Sequence, residues 1–248
     1  MSGLLTRGFR RYVRRFVRSS FNAVRVSGGE HPRGLPQGSV VLYVNHPGWW
    51  DPMTAVLLTD LLLGGRRFAA PMDAAALARY PVLERLGFFA VARDSAAGAR
   101  EFLRESRRVL GDGQTALWIT PAGRFHDVRD SAPFQPGLGH LVDPEFAGSV
   151  VAVAFEYVFW NERRPELLVR FGAPLHCREL PEDRAARTQS LEVALREQQE
   201  QLAQLAIARD GAAFETLLAG RSGIGGLYDI WRRVRCWVSG RSFQPGHE

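Results

Sequence analysis

A chain of 248 residues, 46% hydrophobic and 23% charged, can bury a substantial core and falls within the range of a single α/β domain. Its formal charge of +6, carried by arginines with no lysine, points to an anionic partner: nucleic acid, an anionic lipid surface or a phosphorylated substrate. Two cysteines, Cys177 and Cys236, lie far apart and outside any metal-ligand spacing, which argues against a disulfide scaffold or a zinc site and fits a reducing, cytoplasmic compartment.

Residues 1–24 read as an amphipathic helix, with Leu5, Phe9, Tyr12, Val13 and Phe16 on one side and six arginines on the other. Such a helix lies flat in a membrane interface, docks on the protein's own core, or serves as an Arg-rich presequence. The arginines interrupt every hydrophobic run, so no secretory signal and no export are expected. Residues 39–44 are short, β-branched and apolar, as a buried strand requires. Asp51 then Pro52 form a helix start, with Asp as N-cap, leading into residues 53–63. That apolar stretch is interrupted by Asp60 and is far shorter than the roughly 20 residues that span a bilayer.

Further strands are expected over residues 88–92, 116–120, 150–155 and 167–171, and helices over 74–86 and 96–110. Strands alternating with helices predict an α/β fold with a mainly parallel central sheet flanked by helices, preceded by the N-terminal amphipathic helix. Residues 182–218 have the composition and spacing of one or two packing helices, and residues 223–240 form a basic, aromatic tail with Tyr228, Trp231, Arg232, Arg233, Arg235 and Trp237. The expected division is a membrane-interface helix over 1–24 and a single domain over 25–248.

The clearest chemical signal is His46, placed after a strand and five positions before Asp51, with Pro47 and Gly48 bending the chain between them. Pro47 disfavours a helical conformation at His46, leaving the imidazole on a turn. An Asp that accepts from one ring nitrogen fixes the tautomer, and the other nitrogen is then free to take a proton from a substrate hydroxyl. From spacing alone, the alternative is that Asp51 is a plain helix cap and His46 a turn residue. Arg93 and Arg124 each lie just beyond an expected strand, where open α/β sheets place their ligands, and are candidates for anion recognition or solvated loop charges. Trp49 and Trp50 either shape an apolar acyl channel or are ordinary core aromatics. His126, His140 and His176 have no partner at informative spacing. A nucleic-acid partner would rest on charge alone and is not expected.

Four ordered blocks over about residues 38–175 resemble the glycerolipid acyltransferase family, whose members acylate lysophosphatidic acid. Asn45-His46-x4-Asp51 is similar to the family's catalytic His-x4-Asp motif. The run 87–93 looks like its glycine-aromatic-to-arginine block, and 118–125 occupies the place of its Phe-Pro-Glu-Gly-Thr-Arg block, continued by Phe134-Gln135-Pro136-Gly137. The run 150–154 fits the apolar strand that follows. The resemblance implies His46 and Asp51 as catalytic pair and Arg93, Gly123 and Arg124 as substrate-binding residues. It also implies an acyl-CoA or acyl-carrier-protein donor, a lipid acceptor, no metal or redox cofactor, and residence at the cytoplasmic face of an anionic membrane. Ala122 stands where the family has Glu, and the Thr between Gly and Arg is missing, so an expected acceptor contact is lost and another lyso-lipid or glycolipid stands beside glycerol phosphate as a candidate acceptor. The other outcome consistent with those changes is an inactive, membrane-associated lipid-binding protein of the same fold.

Overall fold

A computed structural model describes residues 3–93, 95–130 and 132–220. In chain order it holds α1 (Gly3–Ser20), β1 (Ala23–Ser27), the single turn α2 (Glu30–Arg33), β2 (Val40–Val44), α3 (Asp51–Leu62), β3 (Arg67–Asp73), α4 (Ala74–Arg79), β4 (Phe88–Val91), α5 (Ala96–Leu110) and β5 (Thr115–Ile119). Then follow α6 (Gly137–Leu141), β6 (Ser149–Val158), β7 (Glu166–Phe171), α7 (Arg184–Ala208) and β8 (Glu215–Ala219). The eight strands make one sheet in the order β4-β3-β5-β2-β6-β7-β1-β8. β2 to β6 all run the same way; β7 pairs antiparallel with β6, and β8 antiparallel with β1, at the other end. The mainly parallel α/β sheet expected from the sequence is what the chain builds.

Because side chains alternate along a strand, β2 feeds two cores. Val40, Leu42 and Val44 join α3 and α1 on one face, while Val41 and Tyr43 join Leu110, Leu138, Leu141, Leu191 and Leu195 of α5, α6 and α7 on the other. Being covered on both faces explains why the central strands read as unbroken apolar runs.

Several expectations need correcting. The apolar face of α1 is not free: Val13 and Val17 are completely buried, Leu5 and Phe9 pack on the core, and the Phe16 ring lies 5.1 Å from that of Trp50. Arg10 and Arg14 do not face away either, since both pair with Asp60 of α3 at 3.2 and 2.7 Å. The helix ends at Ser20, and residue 24 lies inside β1. The helix expected over 74–86 splits, because Pro81 drives Tyr80 to φ −133° and ψ 68°, ending α4, and residues 81–86 continue as a 3-10 turn. The helical reading of 182–218 holds only to Ala208; Arg209 turns left-handed, and residues 215–219 become an edge strand paired with β1. Strands β1 and β3 were not anticipated. The tail at 223–240 and Cys236 lie outside the described residues. Among those residues, no helix is long and apolar enough to cross a membrane.

Candidate active site

β2, β4 and β5 run in one direction, so their C-terminal ends open on one edge of the sheet, where His46, Arg93 and Arg124 emerge. The loop leaving β2 is anchored by Asn45, buried to 1% exposure. Its amide accepts from the Phe155 N–H at 2.8 Å and donates to the Phe155 carbonyl at 2.9 Å, extending the β2–β6 pairing by a side chain. The His46 carbonyl accepts from the His126 N–H at 3.1 Å, tying this loop to the one after β5. The imidazole lies between, 18% exposed, with its ring centroid 4.2 Å from that of Phe125.

His46 Nδ1 and Asp51 Oδ2 are 2.5 Å apart. Asp51 is 3% exposed, and a buried carboxylate at that distance fixes the ring with Nδ1–H toward the acid and Nε2 directed away from it. The carboxylate has two further partners: the Gly48 N–H at 3.2 Å on Oδ2 and the Tyr157 hydroxyl at 2.6 Å on Oδ1. Asp51 is therefore not the helix cap expected from the sequence. Trp50 holds that position without a side-chain bond, Pro52 sits in the first turn, and the carboxylate turns back over the His46 loop.

Tyr157 had escaped the sequence reading. Its phenol is held well above the ordinary tyrosine pKa, first by burial and then by the Asp51 charge, so it serves as a donor. On the opposite face of β6, burial raises the Glu156 carboxyl, more than nearby Arg129 lowers it. Trp50 packs on Phe16 and Phe21 as a core aromatic, whereas Trp49 is 63% exposed on the loop.

The two arginines differ in their distance from the pair. Arg124 leaves the strand next to β2, exposed, with Asp130 4.0 Å away, and its neighbour Gly123 takes the left-handed φ of +68° demanded by the tight turn back to Thr120. Ala122 is buried over a cavity of about 10 Å³, room for a single water, beside Glu192 and Arg196 of α7. Arg93 stands beyond β4, three strand spacings from β2, or roughly 14 Å at about 4.8 Å per strand. Its Nε donates to Asp73 at 2.9 Å, and Asp73, which also caps α4 through the Ala76 N–H, is held below the usual carboxylate range by that amide first and by Arg93 second.

A buried acid orienting a partly buried imidazole, at the edge of a parallel sheet where Arg124 follows the adjacent strand and Arg93 a more distant one, is an arrangement in which an imidazole can take a proton from a hydroxyl. The chain belongs to the acyltransferase family, whose sequence model matches residues 23–156. In fold it is similar to the crystal structure of the 1-acyl-sn-glycerophosphate (LPA) acyltransferase, PlsC, from Thermotoga maritima. That likeness has 13% identity and a TM-score of 0.55, covering 80% of this chain and 79% of that one. No curated protein matches the sequence. The family expected from the four sequence blocks is thus borne out.

Proposed function

We propose that this acyltransferase moves a fatty acyl group from an acyl-CoA or acyl-carrier-protein thioester to the hydroxyl of a lipid, 1-acylglycerol-3-phosphate or another lyso-lipid or glycolipid. The observation that carries this reading is the 2.5 Å contact between His46 and the buried Asp51. His46 Nε2 takes the acceptor's hydroxyl proton as the oxygen attacks the thioester carbonyl. The tetrahedral oxyanion collapses with cleavage of the C–S bond, and the proton passes from the imidazolium to the departing thiolate. Asp51 orients and stabilises the imidazolium. Arg124, on the neighbouring loop, and Arg93, farther along the edge, hold the acceptor's anionic group, and the turn at Gly123 sets the aim of Arg124.

The proposed residence is the cytoplasmic face of an anionic membrane, and exposed side chains support the membrane contact. Trp49, Phe125 and Phe159 project from three loops at the His46 edge, and α1 exposes Leu4 and Tyr12 beside Arg7, Arg11, Arg15 and Arg18. The test is to incubate the purified protein with acyl-CoA or acyl-carrier protein and a panel of lyso-lipids and glycolipids, following thiol release and acylated product by mass spectrometry. One acylated lipid formed per thiol released is the expected result. Vesicle binding with no thiol release from any donor would replace the enzyme by a lipid-binding protein of the same fold.

A further inference from the structure

Resting on the acyl-transfer reading, we infer that Tyr157 is a positioning residue of the reaction, a third member that sets both the direction and the strength of Asp51 toward His46. Three observations support it. Its hydroxyl is 2.6 Å from Asp51 Oδ1, the oxygen not used by His46, so the phenol and the imidazole hold the two ends of one carboxylate. The ring is wedged between Phe21, centroids 5.8 Å apart, and the turn at Gly48, where an added Cβ would meet it at 3.7 Å, so the hydroxyl cannot swing away. Its other neighbour, Thr54 Oγ1, is 3.4 Å away, which leaves Asp51 as the principal acceptor.

Two consequences follow. The first is geometric: with Oδ1 fixed, the carboxylate cannot rotate about its Cβ–Cγ bond, and Oδ2 stays in line with Nδ1. The second is electronic, because donation to Oδ1 draws negative charge from Oδ2 and weakens its hold on the Nδ1 proton. A carboxylate with only the histidine and a backbone amide would bind the imidazolium more tightly and make His46 a base that is protonated over a wider pH range. Other ionisable groups at this edge are Arg124, His126, Asp127, Arg129 and Asp130 in the loop after β5, and Glu156 on the far face of β6. Asp127 is taken up by Arg129 through both carboxylate oxygens, at 2.7 and 2.8 Å. From α1 and its end come Phe16 and Phe21, which are not ionisable, and α3 contributes Thr54 beside Asp51. Among the described residues, Tyr157 is the side-chain donor to Asp51 besides His46 itself.

The experiment compares the full-length protein with Tyr157→Phe, which removes one oxygen and keeps the ring, and with 3-fluorotyrosine incorporated at position 157, which keeps the hydroxyl and makes it a stronger donor. For Tyr157→Phe, kcat should fall about tenfold with KM nearly unchanged, the factor a hydrogen bond to an ionised group commonly supplies. The acid limb of the kcat/KM profile should move to higher pH, and the His46 Nδ1 proton resonance should move downfield. The fluorinated protein should move both readouts the opposite way. An acid limb and a resonance that stay fixed across the series would overturn the inference, even if Tyr157→Phe melts lower, because a purely structural role lowers stability without grading the base. Loss of thiol release by all three proteins, with the resonance still graded, would instead overturn the acyl-transfer reading and leave the Tyr157–Asp51–His46 coupling standing.

Discussion

Replacing both Val13 and Val17 by Ala decides whether α1 is part of the core or a detachable membrane helix. Both valines are buried, at 0% and 1% exposure, in the cluster that includes Phe21, Leu57, Leu58 and Phe155. Each substitution deletes two methyl groups, about 1.6 kcal/mol of transfer free energy, and leaves a cavity that brings the cost to about 2–3 kcal/mol. The double variant should lose about 4–6 kcal/mol if the two losses add, with a departure from that sum because the sites share a helix face. Against a domain stability on the order of 5–15 kcal/mol this is severe, and at about 2–4 °C per kcal/mol for this size it lowers the melting temperature by roughly 8–24 °C. Circular dichroism melting measures it. Leu4→Ser with Tyr12→Ser, both on the exposed side of the same helix, is the control: it should melt like the parent and co-sediment less with anionic vesicles. If the valine pair melted with the parent and instead weakened vesicle binding, the docking of α1 on α3 would be refuted and the free amphipathic helix restored.

Two other variants probe the edge of the sheet. Arg93→Ala should raise KM for an anionic acceptor severalfold and leave KM for the thioester donor unchanged, and an unaltered acceptor KM would assign anion binding to Arg124 alone. Glu156→Gln should stabilise the fold at neutral pH. Burial raises the folded carboxyl above its ordinary value, so ionising it costs stability. That cost is absent below the unfolded glutamate range near about pH 4, grows as pH rises through the folded value, and is complete above it. The melting-temperature gain over the parent should accordingly vanish on acidification, whereas a constant gain would contradict the sign.

The elements legible in the sequence are those whose local pattern agrees with their surroundings. Val40, Val41 and Leu42 read as a buried strand because both faces of β2 are covered, and α5 carries Ser95 as a side-chain cap on the Gly98 N–H. The strands that were missed owe their form to distant partners. β3 contains Pro71 yet sits inside the sheet, because pairing with β5 ends at Ala69 and Pro71 pairs only toward β4, so its missing N–H leaves no gap. β8 has a composition that suits a helix, and it is extended because β1 offers it an edge. In the site, the His46–Asp51 relation was visible because only four residues lie between the two. Tyr157 is 106 positions from Asp51 and carries no motif; only the laying of β6 beside β2 brings its hydroxyl to the carboxylate. Asn45 was visible as part of a motif, but its clamp on Phe155 depends on that same pairing.

The most direct measurement of the central claim is single-turnover acyl transfer by the parent protein and by His46→Ala, with saturating thioester and the acceptor that the screen identifies. In the variant Asp51 keeps Tyr157 and Gly48 as partners, so folding, donor binding and vesicle binding should be preserved while the transfer rate falls at least about 100-fold, the lower end of what a general base contributes. Transfer by His46→Ala at a rate close to the parent's would contradict the role of His46 as the base.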